Sequence, residues 1–166
     1  GIQGGPLEHV IAAKAVMLHE AAQPAFHDYA HAVVSNAKTL AQSLLDEGLT
    51  LVTGGTDNHL MIIRLGDSGP TGKEVARAME RAGLVANANT VPGETRGAFQ
   101  TSGVRVGTPA ATTFGFGPDE FRTIGKLIAG IVRDPSNADV VKATAGAVRE
   151  LCQAVETRRE RTFAHS

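Results

Sequence analysis

The sequence has 166 residues, of which 42% are hydrophobic and 20% are charged, and its formal net charge is −1. This length suits one ordinary domain with appendages. The near-neutral charge gives no electrostatic reason to expect nucleic acid or an anionic membrane surface as a partner. Cys152 is the only cysteine, so an internal disulfide or a cysteine zinc site is excluded and a reducing, cytoplasmic setting fits best. No apolar run approaches the roughly 18 residues of a membrane span.

The first part of the chain predicts two helices and no strand. Pro6 follows two glycines and suits the first turn of a helix whose apolar residues recur at helical spacing as far as Leu18. Pro24 interrupts that pattern, and a longer helix is predicted from about 25 to 47, where Gly48 ends it. We interpret both as connector helices that need another body to pack on. A domain boundary is therefore predicted between 1–47 and 48–166.

The remainder of the chain predicts a small sheet covered by helices. Strands are predicted at 49–53, 59–65 and 104–106. Helices are predicted at 72–82, capped by Thr71, at 118–132 and at 138–159. Between them, 84–87 is expected to be extended and 88–100 to be a polar loop. Short, mainly antiparallel strands with helices on one face form an α/β domain of the α+β type.

One arginine in the stretch TSGVRVGTPA stands among small and apolar residues. The nearest carboxylates along the chain to Arg105 are Glu94 and Asp119. A guanidinium group binds a carboxylate through two parallel N–H bonds, and Gly103 and Gly107 leave room for a ligand beside it. Arg105 is therefore a candidate carboxylate-binding residue, expected to point into a cleft. The alternative is an outward-facing strand arginine.

Gly4 and Gly5, at the start of the first predicted helix, form a second candidate site. Glycine lets the backbone approach a ligand closely, and a helix start presents free N–H groups that attract phosphate. The alternative is an ordinary turn.

Two histidine-containing patterns carry weaker signals. His27 and His31 share a helix face, but no third ligand accompanies them, so no metal site is expected. The cluster TDNH at 56–59 offers an acid, an amide and an imidazole, although turn formation explains Asp57 and Asn58 equally well.

Four motifs together resemble the serine hydroxymethyltransferase family. They are QGGPLEHVIAAKAV at 3–16, TGGTDNHL at 53–60, TGKE at 71–74 and TSGVRVGTPA at 101–110. They occur in the family's order and spacing, and the resemblance extends to about residue 132. It implies the fold of aspartate-aminotransferase-like (fold type I) enzymes, with 1–47 as the end of the large pyridoxal-phosphate domain and 48–166 as the small C-terminal domain.

The resemblance also implies an activity. The family uses pyridoxal 5'-phosphate, moves a one-carbon unit from serine to tetrahydrofolate to leave glycine, and works in the cytoplasm as a homodimer whose active site is shared between subunits. Arg105 would bind the α-carboxylate of the amino acid. The Gly4 and Gly5 backbone would contact the cofactor phosphate across the dimer interface, and Asn89 would contact the folate.

The chain departs from the family pattern in two places. Ala88 stands where the family usually has lysine, and the loop GETRGAF at 93–99 is not the common form. Such changes leave open a threonine aldolase or transaldolase on the same scaffold. A non-catalytic dimerisation module is the second alternative.

The family's Schiff-base lysine is expected upstream of Gly1. The start GIQGGP has no methionine and predicts a piece of a longer protein. The resemblance matches none of the lysines in this chain to the family's cofactor lysine. The lysines are Lys14, Lys38, Lys73, Lys126 and Lys142. This chain alone is therefore expected to be inactive and to need the pyridoxal-phosphate domain as its partner.

Overall fold

The computed structural model describes residues 1–163, which contain six helices and four strands. The helices are α1 Glu8–Ala21, α2 Pro24–Asp46, α3 Gly72–Arg81, α4 Pro109–Phe114, α5 Pro118–Arg133 and α6 Ala138–Phe163. The strands are β1 Thr50–Leu51, β2 Leu60–Arg64, β3 Asn87–Asn89 and β4 Gly103–Gly107. This is the α/β class predicted from the sequence. Within the described residues, no helix has the length and apolar content needed to cross a membrane.

The strands form one sheet in the order β1-β2-β4-β3, and every neighbouring pair is antiparallel. The antiparallel arrangement was predicted, but only three strands were. Strand β3 covers the last residue of the segment expected to be extended and the first two of the expected polar loop. It was not predicted as a strand because its sequence, Asn-Ala-Asn, lacks the apolar alternation that marks one. Backbone pairing with β4 holds it at the sheet edge.

The two faces of the sheet differ in what covers them. Met61, Ile63, Val104 and Val106 are buried against the helices in one continuous core. Side chains alternate along a strand, so the intervening residues point to the other side. We call that other side the open face, and it carries Leu60, Ile62, Arg64, Asn87, Asn89 and Arg105.

Helix α2 packs into the core of this chain, whereas α1 only touches α2. Leu40 and Leu44 of α2 are buried in the core beside α5, and the Ser43 hydroxyl donates a hydrogen bond to the Arg122 carbonyl at 2.9 Å. Helix α1 buries none of its residues. The apolar face of α2 thus finds its partner inside the chain, and the domain boundary after residue 47 stays a prediction.

Helix starts follow the sequence signals in part. Thr71 caps α3 as predicted, since its hydroxyl accepts from the Glu74 N–H at 3.2 Å and the Glu74 carboxylate accepts from the Thr71 N–H at 2.8 Å. Pro6 is not in the first turn of α1, which begins at Glu8. Helix α4 was not predicted, because six residues are too few to show a helical period.

Candidate functional site

Arg105 lies at the centre of β4, on the open face. In the sheet it stands between Ile62 of β2 and Asn87 of β3, and its Nη2 donates to Asn87 Oδ1 at 3.4 Å. The side chain is exposed, and it forms no ion pair with any described residue. The expectation that it points into a cleft is wrong for this chain by itself, because the helices that contact the sheet lie on the opposite face.

Asn89 shares the open face with Arg105. It pairs with Gly103, two residues before Arg105 in β4, and its Nδ2 donates to the Thr90 carbonyl at 3.0 Å. By alternation, the side chain of Ala88 points to the other side of this edge strand. The structure therefore brings two of the four predicted site residues together and turns residue 88 away from them.

Gly4 and Gly5 are not part of this cluster. They precede α1 and are exposed, and a Cβ added to either would meet no atom within 4 Å beyond its chain neighbours. The first turn of α1 bonds the N–H groups of Val10 and Ile11 to the Leu7 carbonyl. The backbone at these two glycines is thus open to a partner from outside the chain.

Glu94 is a site residue to which the sequence analysis gave no role. One carboxylate oxygen accepts from the Ser102 hydroxyl at 2.7 Å and the Arg96 N–H at 3.0 Å. The other accepts from the Ser102 N–H at 2.8 Å and the Val91 N–H at 3.4 Å. These bonds, with the Ser102 hydroxyl first, lower the pKa of Glu94 from its ordinary value of 4.5 to about 2. The sequence shows that Glu94 is close to Ser102 along the chain, but it does not show that the loop folds back to bring the two side chains into contact.

Arg96 anchors the same loop on its other side. Its Nη1 donates to the Pro70 carbonyl at 2.9 Å, and its Nη2 donates to the carbonyls of Asp67 and Gly69, both at 2.7 Å. The Thr95 hydroxyl adds a bond to the Asp67 carboxylate at 3.1 Å. The unusual GETRG sequence therefore forms a bridge between the start of β4 and the loop before α3.

Thr101 has a left-handed backbone just before β4. Its φ is 58°, the only positive value at a non-glycine residue among those described, and a β-branched side chain disfavours it. The residue is buried, and its carbonyl accepts from the Gly72 N–H at 3.0 Å. Such strain persists only where surrounding contacts hold it, and it is frequent at functional sites.

The TDNH segment is a closed turn. The Thr56 hydroxyl donates to the Leu60 carbonyl at 2.6 Å, and Asn58 Oδ1 accepts from the Leu60 N–H at 3.0 Å. A cavity of about 380 Å³ lies beside it, lined by residues 52–58 and 60–62. The turn interpretation is confirmed for Asn58, whose side chain holds this turn.

The two helical histidines face solvent. The Nε2 atoms of His27 and His31 lie 3.2 Å apart, on an exposed part of α2. In the part of the chain that the structure describes, no three His, Cys, Asp or Glu side chains converge where a metal ion could bind.

Comparison with known proteins decides the family. A family model described as serine hydroxymethyltransferase matches residues 1–128. The chain belongs to the serine hydroxymethyltransferase family. This membership confirms the resemblance drawn from the four motifs, and it implies fold type I for the family.

Curated relatives of the serine hydroxymethyltransferase family show the same similarity. The chain is 51% identical over 158 residues to "Serine hydroxymethyltransferase" of Erythrobacter litoralis, covering 92% of the chain and 36% of the relative. It is 50% identical to the protein of that name from Haloquadratum walsbyi and 52% identical to that from Haloarcula marismortui, each over 153 residues, 91% of the chain and 37% of the relative. The chain thus spans little more than a third of the length of these serine hydroxymethyltransferases.

Proposed function

We propose that this chain is the amino-acid-binding C-terminal portion of a pyridoxal-phosphate-dependent enzyme that transfers a one-carbon unit from serine to tetrahydrofolate. The observation that carries the proposal is Arg105, an exposed guanidinium group that no described carboxylate neutralises, beside Asn87 and Asn89 on one sheet face. Family membership supports the same assignment.

Arg105 would hold the α-carboxylate of serine. Its planar fork binds a carboxylate through two N–H bonds, which fixes the orientation of the amino acid and of the bond to be broken. Pyridoxal phosphate, when bound, would supply the electron sink for that bond cleavage. The open face can accept a ligand there because the Arg105 side chain is exposed and pairs with no described carboxylate. The room expected beside Gly103 is filled by this chain itself, since a Cβ there would meet Val91 Cγ1 at 2.7 Å and the Asn89 carbonyl oxygen at 2.8 Å.

The cofactor would be held largely by residues outside this chain. Gly4 and Gly5 fit a phosphate-binding role, since their backbone is exposed and unobstructed. The five lysines of the chain are all exposed on its surface, and none lies on the open face with Arg105. We assign the cofactor lysine to the part of the full-length enzyme that this chain does not cover.

The proposed partners are that remaining part of the enzyme and a second copy of it. Helix α1 exposes apolar side chains that a larger body would cover, among them Ile11 at 59%, Met17 at 52% and Leu18 at 63% of their full accessible surface. A homodimer with a shared active site and a cytoplasmic location belong to the same proposal.

Asn89 would contact the folate from the open face. Ala88 does not weaken this assignment, because its side chain lies on the opposite side of β3. The proposal therefore keeps tetrahydrofolate as the one-carbon acceptor.

The test uses the full-length enzyme, meaning the polypeptide that contains this chain together with the rest of the length found in its relatives. We expect conversion of serine to glycine that requires tetrahydrofolate, and its loss in Arg105→Ala. Exposed Arg149 on α6 offers a matched control, so Arg149→Ala should keep the activity. Folate-independent cleavage of threonine would instead indicate the aldolase alternative. Failure to bind pyridoxal phosphate would indicate a non-catalytic module.

A further inference from the structure

The connection that leads into β4 is held from one side by a single carboxylate. Glu94 accepts from both the N–H and the hydroxyl of Ser102, and Ser102 is 1% exposed. The Ser102 carbonyl in turn accepts from the Leu65 N–H at 2.9 Å, which continues the pairing between β2 and β4. The contacts of Glu94 therefore act on the residue where the register of β4 is set.

The same connection contains the strained residue. Thr101, adjacent to Ser102, has φ 58°, and without support a β-branched residue would relax to another backbone region. A change of backbone angles at 101 or 102 would rotate or shift β4, and a shift by one residue would turn every side chain of the strand to the opposite face. Arg105 lies three residues further along.

The carboxylate is itself fixed in place by its loop. Arg96, two residues away, is bonded to the three carbonyls of Asp67, Gly69 and Pro70, which restrains the loop that carries Glu94. This arrangement joins the loop before α3 to the start of β4 through hydrogen bonds that involve ionised groups, which are stronger than neutral ones.

We propose that Glu94 is a positioning residue for Arg105, which holds the Thr101–Ser102 connection so that the guanidinium group is presented to the substrate carboxylate. The inference rests on the proposed function of Arg105. Glu94 itself touches no substrate in this scheme. It acts through the backbone of β4.

Glu94→Gln in the full-length holoenzyme is the decisive variant. Each carboxylate oxygen accepts from at least one backbone N–H, so either orientation of the amide places an NH₂ group against an N–H donor. We expect the Kd for glycine to rise by about tenfold, the effect of losing one charge-assisted hydrogen bond to the substrate carboxylate. The Kd for methylamine, which is glycine without its carboxylate, should stay unchanged.

Three further measurements separate positioning from general stability. Hydrogen exchange of residues 101–107 should be faster in Glu94→Gln, and Glu94→Asp should recover part of the glycine affinity. Glu80→Gln, on the exposed side of α3, is the matched control and should change neither quantity. If Glu94→Gln fails to fold, Ser102→Ala removes one of the same bonds and should weaken glycine binding alone.

The outcomes distinguish the inference from the proposed function. If Arg105→Ala abolishes glycine binding while Glu94→Gln and Ser102→Ala leave it intact, the positioning role is overturned and the function stands. An equal loss for glycine and methylamine also overturns the positioning role. If Arg105→Ala binds glycine as the unaltered enzyme does, both proposals are overturned.

Discussion

The hydroxyl of Thr108 donates a hydrogen bond to the backbone carbonyl of Val33 across 2.9 Å, joining the end of β4 to the middle of α2. Thr108 is 0% exposed and its own N–H bonds to the His59 carbonyl at 3.0 Å. The residue therefore ties three elements together immediately after the Arg105 strand. It also explains how a helix from the first part of the chain contributes to the framework of the candidate site.

Thr108→Val tests this tie, since valine keeps the shape and removes the hydroxyl. We expect the free energy of unfolding to fall by about 1 kcal/mol, the net contribution of a buried hydrogen bond. Thr39→Val is the matched control, because its hydroxyl bonds to the Ser35 carbonyl at 3.1 Å on the exposed side of α2. That change should cost under about 0.5 kcal/mol. Equal effects in urea unfolding would contradict a structural role for the Thr108 bond.

Gly72→Ala should destabilise the enzyme through a steric conflict. A Cβ at Gly72 would overlap the Thr101 hydroxyl and the Gly103 carbonyl oxygen, and a backbone oxygen cannot move aside cheaply. We expect a cost of about 1–3 kcal/mol. Gly146→Ala in α6 meets no atom within 4 Å and should instead stabilise the helix by about 0.5–1 kcal/mol. Thermal unfolding of both variants measures these opposite changes in stability. A Gly72→Ala variant as stable as the unaltered enzyme would show that the structure around residue 72 can relax to accept the methyl group.

Glu94 should contribute to stability in a pH-dependent way. Its pKa is lowered from 4.5 to about 2 by hydrogen bonds from the Ser102 hydroxyl and the Arg96 N–H. Because the folded pKa lies below the unfolded one, the contribution is complete above about pH 5 and declines as the pH falls from 4.5 towards 2. The stability difference between the unaltered enzyme and Glu94→Gln should shrink over that interval. A difference that stays constant from pH 7 to pH 3 would contradict the assigned bonds.

Arg105→Lys should separate substrate binding from cofactor binding in the full-length enzyme. Lysine keeps the charge but loses the planar fork, so the substrate carboxylate would be held by one contact where arginine makes two. We expect the Kd for serine to rise by at least about tenfold and turnover to fall further, since misorientation harms the transition state more than the ground state. Pyridoxal phosphate should bind as before, and Arg149→Lys should match the unaltered enzyme. Unchanged serine affinity with weaker cofactor binding would show that Arg105 has a different ligand.

The lysines of this chain should not form the family's cofactor link. All five are exposed, and none lies on the open face with Arg105. Incubation of the 166-residue chain with pyridoxal phosphate, followed by borohydride reduction and peptide mapping, should therefore show no single modified lysine. One stoichiometric adduct at a defined position would contradict the assignment of the cofactor lysine to the rest of the enzyme.

Residues that cap or end a helix predicted the positions of most helices from the sequence. Thr71 as the N-cap marked α3, Pro118 marked the start of α5, and Gly48 follows the end of α2. These signals work because each acts within one turn of backbone. Strand β3 and helix α4 were missed because segments of three and six residues are too short to show a period.

The sequence by itself determined the family and the candidate carboxylate-binding residue. Four motifs in the right order indicated the family. An arginine among glycines with no nearby acid made Arg105 a candidate, and the family resemblance supplied a carboxylate as its expected ligand. Both are properties of residue identity along the chain, and they need no knowledge of distant contacts.

Only the tertiary structure decided what surrounds Arg105. Strand register placed Asn87 and Asn89 on its face and Ala88 on the other, and loop closure brought Glu94 to Ser102, eight residues away along the chain. The same packing left Gly4 and Gly5 exposed ahead of α1, outside that cluster. These relationships depend on which strands pair and in what register, which is selected by burial of the whole apolar core and leaves no local mark on the polar residues themselves.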